Sequence, residues 1–200
     1  MGLRFPQGHE TIYHQPEDNM PQRLRFAELA PEGIAALRQL EHYLNTGTTL
    51  SPVLLELLRL RVSTLNGCDF CIHMHTGELL KHNEPQGRID AIADWQASDA
   101  FTPRERAALA YADSVTNIQQ THVSDEEYAA INEFFSGKDL ADLTLAVASV
   151  NSWNRLAIPF RSEWNPHPAK PAPPSEPAAV NLGDVTVSAV GDDGGKVAED

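Results

Sequence analysis

Cysteine is scarce in this chain: there are only two, Cys68 and Cys71, in 200 residues. A pair cannot build the multi-bridge framework of a small secreted domain, so the fold must rest on an apolar core. Basic residues are also few. With 15 Lys and Arg against 28 Asp and Glu, the formal net charge is −13 and the pI near 4.9. That balance argues against nucleic acid or an anionic membrane as a partner. No apolar run reaches the roughly 18 residues that suggest a membrane span. The opening MGLRFPQGHE lacks the apolar stretch of a signal peptide. A cytoplasmic chain is the simplest expectation, and there a C-x-x-C pair is catalytic or metal-binding rather than a structural staple.

Several motifs are missing as well. The sequence contains no G-x-G-x-x-G, Walker loop, H-E-x-x-H, G-x-S-x-G or EF-hand loop, so nucleotide, zinc-protease, serine-hydrolase and calcium chemistry lose their usual support. No stretch alternates apolar and polar residues with period two, and no βαβ pattern surrounds the cysteines as a thioredoxin fold would require. The expected fold class is therefore all-α.

What is present is a series of helical patterns. Pro31 opens a segment with Ile34, Leu37, Leu40 and Leu44 at helical spacing, closed by Asn45-Thr46-Gly47. Ser51-Pro52 starts a helix that is apolar almost all round, and Asn66-Gly67 ends it. A second helix starts at Cys68 and ends near His82, and a shorter one carries Ile89, Ile92 and Trp95. Capping boxes at Thr102-Pro103-Arg104-Glu105 and Ser124-Asp125-Glu126-Glu127 launch two more, the first running to about Ile118. The last runs from about Asp139 to Ile158-Pro159. Residues 1–20 have no periodicity and are expected to form an extended arm. Residues 166–200 hold six prolines between Pro166 and Pro177, then Gly, Ala, Val and acids, and are expected to be a disordered acidic tail.

The chemistry-bearing groups lie around the cysteines. At about 100° per residue, Cys71 falls about 60° and His75 about 20° from Cys68, so all three share one helical stripe while His73 points elsewhere. If the two helices form a hairpin about Asn66-Gly67, Glu56 lies roughly 15 Å before the turn and His75 roughly 12 Å after it. A thiol in the first turn of a helix meets the positive end of the dipole, which favours a thiolate. His75 can take or deliver a proton near neutrality, and Glu56, set among leucines, is expected to have a raised pKa suited to passing that proton on.

The residues Glu56, Asn66-Gly67-Cys68, Cys71 and His75 together resemble the alkylhydroperoxidase AhpD-like, carboxymuconolactone decarboxylase-type superfamily. Its redox members carry a Glu, then C-x-x-C, then a His after three intervening residues. The segment NSWNRLAIPFR at residues 151–161 is similar to the Asn-x-Trp-Asn-Arg stretch that ends the domain in longer members, so the resemblance covers roughly residues 23–161. It implies an AhpD-like all-α domain over residues 21–165 that assembles as a homo-oligomer. It also implies a thiol peroxidase acting on alkyl hydroperoxides or hydrogen peroxide. In that scheme Cys71 attacks, Cys68 resolves to a Cys68/Cys71 disulfide, and Glu56 with His75 relays protons. No metal or bound organic cofactor is needed, but a dithiol or thioredoxin-like reductant must restore the thiols. Phe70 stands where some members carry a His between the cysteines. Two rival readings remain open. The decarboxylase branch acts on a lactone and has no use for vicinal thiols. A noncatalytic zinc-bound module, with His75 and Glu56 or another His completing a half-site, or a redox sensor would keep the thiols without turnover. Trp153 is expected in the core, and Arg155 as an ion-pair partner.

Overall fold

The computed structural model describes residues 21–164, and the expected arm (1–20) and tail (166–200) lie outside the described residues. Within them every regular element is a helix. In order these are α1 (Phe26–Leu29), α2 (Pro31–Thr46), α3 (Pro52–Asn66), α4 (Asp69–Lys81) and α5 (Gln86–Asp90), which runs into a 3-10 helix (Ala91–Ala97). There follow α6 (Pro103–Thr116), α7 (Ile118–Thr121), α8 (Asp125–Asn132) and α9 (Lys138–Phe160). None of the described helices is long and apolar enough to cross a membrane.

Helix α3 is the axis of the fold. Its start is built as the sequence predicts: the Ser51 hydroxyl accepts from the Leu54 N–H at 3.2 Å, and Pro52 occupies the first turn where no N–H is needed. Residues 54–63 are all buried, because α4, α6 and α9 pack around them. Three of those ten are charged. Arg61 forks onto Asp113 of α6 at 2.6 and 2.8 Å and donates to the carbonyls of Ile92 and Ala93, while the Trp95 indole donates to the same Asp113 at 3.1 Å. That cluster ties α3, α6 and the 3-10 helix together.

Both capping boxes form, at Thr102/Glu105 and Ser124/Glu127. Two expected helices are interrupted. The run expected to reach about Ile118 breaks at Asn117, and the Ile89/Ile92/Trp95 segment divides into α5 and the 3-10 helix, in which Asp94 has non-helical φ −127 and ψ 54. All three of its apolar residues are nevertheless buried. Along α9, Leu140, Leu143, Val147 and Val150 face the core. Trp153 does not, contrary to expectation: it is half-buried on a cavity wall, where its indole N–H finds Glu41 at 3.1 Å. An indole N–H turned away from water needs a hydrogen-bond partner, and here the partner lies at the cavity. Arg155 is exposed and donates to the Asn151 carbonyl and side chain rather than to a carboxylate.

The α3 to α4 turn is closed by Gly67, at φ +67. Its N–H donates to the Thr64 carbonyl at 3.2 Å and the Cys68 N–H to the Ser63 carbonyl at 2.9 Å, the paired bonds of a Schellman stop. A Cβ at Gly67 would touch nothing within 4 Å, so a side chain there suffers only from the left-handed backbone. Gly67→Ala is therefore expected to lower the unfolding free energy by about 1 kcal/mol. Gly77→Ala, mid-helix in α4 with equally open space around its Cβ, should raise it by about 0.5–1 kcal/mol. Urea unfolding of the two variants checks this opposition of sign.

Candidate active site

Cys68 is the N-cap of α4 and Cys71 lies in its first turn. Their sulfurs are bonded to each other, with the Cα atoms 5.3 Å apart, and both residues are buried, with Ala157 of α9 and Phe70 packed beside them. The lead-in to this pair is held from α9. The Asn66 amide donates to the side-chain oxygens of Asn151 (3.0 Å) and Asn154 (2.8 Å), and Asn154 donates to the Ser63 hydroxyl at 3.2 Å. The two asparagines of the NSWN segment thus hold the turn that carries the cysteines.

From Cys71, α4 presents His75, Glu78 and, at its C-terminal cap, His82 at intervals of three or four residues, and all four side chains line one cavity of about 680 Å³. Across it α2 contributes Ile34, Arg38, Glu41 and Asn45 at similar intervals, while α9 adds Val150, Trp153 and Ala157. Cys71 lines this cavity and Cys68 is not among the lining residues. His73 is exposed on the other side of α4; its ring nitrogen lies 2.7 Å from the Asp69 carbonyl, and the ring stacks on Trp164.

Glu56 and His75 meet as the hairpin geometry predicts, with Nδ1 of His75 2.8 Å from Oε2 of Glu56 and both residues 7% exposed. An ionised carboxylate can only accept, so this contact assigns the proton to Nδ1 and leaves Nε2 as the free acceptor. The expectation of a raised Glu56 pKa is overturned. Burial is the largest single influence and pushes it up, but the hydrogen bond and charge of His75 and the charge and hydrogen bond of Arg59 together bring it below the usual carboxylate value. Glu56 is thus an anion clamped from two sides, and a poor proton carrier near neutrality.

The second of these two partners was not singled out in the sequence. Arg59 is 5% exposed and donates to Oε1 of Glu56 at 2.6 Å, to Oε2 of Glu41 at 2.6 Å and to the Asn45 side chain at 3.0 Å. The other oxygen of Glu41 accepts from Ser149 at 2.5 Å and from the Trp153 indole at 3.1 Å. Arg59 had a sequence signal, since a charge three residues from Glu56 on a leucine-rich helix shares its face. Glu41 had none, because a Glu on an amphipathic helix usually faces water. Among the described residues no group of three or more His, Cys, Asp and Glu side chains is arranged to hold a metal ion.

Comparison with known proteins adds a family context. The model of the carboxymuconolactone decarboxylase family matches residues 30–114, from α2 through most of α6. The uncharacterized protein YdfG of Bacillus subtilis is 37% identical over 139 residues, covering 70% of this chain and 94% of that protein. A solved structure of a protein of unknown function from Agrobacterium tumefaciens, described as a candidate antioxidant defence protein AhpD, superimposes with a TM-score of 0.69. The two are 33% identical, and the match covers 75% of this chain and 100% of that one. An uncharacterized peroxidase-related protein from Ralstonia eutropha, with an alkylhydroperoxidase AhpD core, shares the fold at a TM-score of 0.63. It is 22% identical, with 70% of this chain and 74% of that one covered.

The depressed Glu56 pKa makes a pH prediction. A carboxyl lowered in the folded state contributes its full stabilisation above its unfolded value near 4.5 and loses it as pH falls through the folded value. Glu56→Gln is expected to cost about 1–3 kcal/mol at pH 7, because Arg59 loses a buried charged partner. The difference between wild type and variant should shrink below about pH 4.5. Denaturant unfolding across pH 3 to 7 measures it, and a gap that stays constant over that range would contradict the assignment.

Proposed function

This chain belongs to the AhpD-like, carboxymuconolactone decarboxylase superfamily, and we propose that within it the protein is a thiol peroxidase that reduces organic hydroperoxides or hydrogen peroxide. The observation that carries the reading is the placement of Cys71. It lines the cavity, one helical turn from His75, whose far nitrogen is pinned by Glu56. Nε2 of His75 takes the Cys71 proton, and the thiolate, favoured by the helix N-terminus, attacks the terminal peroxide oxygen. The O–O bond breaks, the sulfur becomes a sulfenic acid, and the departing alkoxide takes the proton from His75. Cys68 then attacks the Cys71 sulfur, releasing water and forming the disulfide. A dithiol or thioredoxin-like protein returns both thiols by exchange.

The relay differs in one respect from the scheme read out of the sequence. Glu56 remains ionised and fixes the tautomer and aim of His75, as the acid of a Ser-His-Asp triad does, while the imidazole alone carries the proton. The rivals fit less well. Lactone decarboxylation leaves the bonded thiols without a task, and a zinc half-site would draw on a His75 and a Glu56 already committed to each other and to Arg59. A redox sensor shares the thiol chemistry and differs only in lacking turnover. Assembly as a homo-oligomer, which the family resemblance implies, is part of the same proposal.

Dithiol-dependent consumption of tert-butyl hydroperoxide and hydrogen peroxide, measured side by side, tests the activity. Cys71→Ser is expected to abolish it. Cys68→Ser should consume one equivalent of peroxide and stop at a sulfenic acid that a carbon-acid probe can trap. Multiple turnover by the Cys71 variant would reverse the roles of the two thiols, and slow sub-stoichiometric oxidation of wild type would favour the sensor.

A further inference from the structure

We infer that Arg59 and Glu41 are positioning residues of the thiol site, holding the Glu56 carboxylate against His75 so that charges on α2 and α3 set the electrostatic balance in which Cys71 gives up its proton. This rests on the reading that Cys71 reacts as a thiolate with His75 as its base. The array is continuous. Trp153 and Ser149 on α9 donate to Glu41 on α2; Arg59 on α3 bridges Glu41 to Glu56; and Glu56 meets His75 on α4. Both oxygens of each carboxylate are engaged, so neither Glu can rotate without breaking a contact.

Stability alone does not account for such an array. A buried ion-pair cluster roughly breaks even against apolar side chains of the same size, because desolvation offsets the attraction. What the cluster does supply is orientation and charge. One guanidinium between two carboxylates leaves one negative charge, and Glu56 presents it to the imidazole. Other charged or titratable groups on the cavity wall are Arg38 of α2, Glu78 of α4, His82 at the C-terminal cap of α4, and Cys71 itself, with Glu78 paired to Lys81. Helix α9 contributes no charged side chain to that wall.

Because the array works through charge, removing its cation and removing its distal anion must act in opposite directions. The test is the rate of alkylation of Cys71 by iodoacetamide against pH, in reduced protein carrying Cys68→Ser so that one thiol remains. Arg59→Met should move the rising limb of this profile to higher pH by about half a unit or more, and Glu41→Gln should move it to lower pH by a similar amount. Arg59→Lys, which keeps the charge but not the planar fork, should fall between Arg59→Met and the parent. Limbs that coincide with the parent while thermal stability falls would make the residues merely structural and overturn the proposal. Shifts of the same sign would do so too, as would a thiol that titrates like free cysteine, near about 8.5, in every variant. If Arg59→Met does not fold, the sign of the Glu41→Gln shift decides alone. The measurement uses no peroxide. Limbs that shift as stated in the Cys68→Ser background, beside a wild type that consumes no hydroperoxide, would therefore sink the peroxidase reading and leave this one standing.

Discussion

The buried guanidinium of Arg59 is the constraint on which the site depends. It sits in the middle of α3, a helix with ten consecutive buried residues, where an unpaired charge would cost several kcal/mol. Meeting that cost requires carboxylates within hydrogen-bonding reach, and the two that serve come from its own helix and from α2. The pairing therefore fixes more than a charge. It sets the register of α2 against α3, orients Glu56, and through Glu56 fixes His75 on α4. Arg61, two residues on, does the same toward α6 through Asp113. One helix thus carries adjacent ionic anchors on different faces, one turned toward chemistry and the other toward the scaffold.

Placement of the sulfurs follows from a second constraint, the tight stop at Gly67. Because the left-handed residue ends α3 and the chain reverses at once, α4 begins at the cysteines, and Cys71 enters its first turn where backbone N–H groups are unpaired. Asn151 and Asn154 brace this turn from α9 through the Asn66 amide. The NSWN segment thereby acquires a physical meaning: its asparagines hold the cysteine turn, and the tryptophan between them lines the cavity and supports Glu41.

These two constraints converge on an asymmetric dithiol. The cysteine on the cavity has the His75 imidazole one turn away, and its partner caps the helix behind it. An attacking sulfur needs both an approach for substrate and a proton acceptor, while a resolving sulfur needs only proximity to the first. The proposed roles of Cys71 and Cys68 rest on that difference in environment.

Much of this was legible without coordinates. Helix starts and stops at Ser51-Pro52, Asn66-Gly67, Thr102 and Ser124 are local chemistry, satisfied by neighbours within a turn, so the order of residues alone determines them. The common stripe of Cys71 and His75 and the meeting of Glu56 with His75 follow from helical periodicity and one reversal of the chain. Other features depended on contacts distant in sequence. The partner of Arg59 on α2 lies 18 residues away, and Trp153 reaches Glu41 across 112. No local pattern encodes those pairings. The charge on Glu56 is a matter of balance: burial can be read from the surrounding leucines, whereas the two groups that outweigh it, His75 across the hairpin and Arg59 one turn along α3, count only once packing fixes their contact with the carboxylate. The sequence by itself determined which groups a single helical hairpin brings face to face, and tertiary packing decided their charge, because electrostatic balance in a buried site is the sum over every element that borders it.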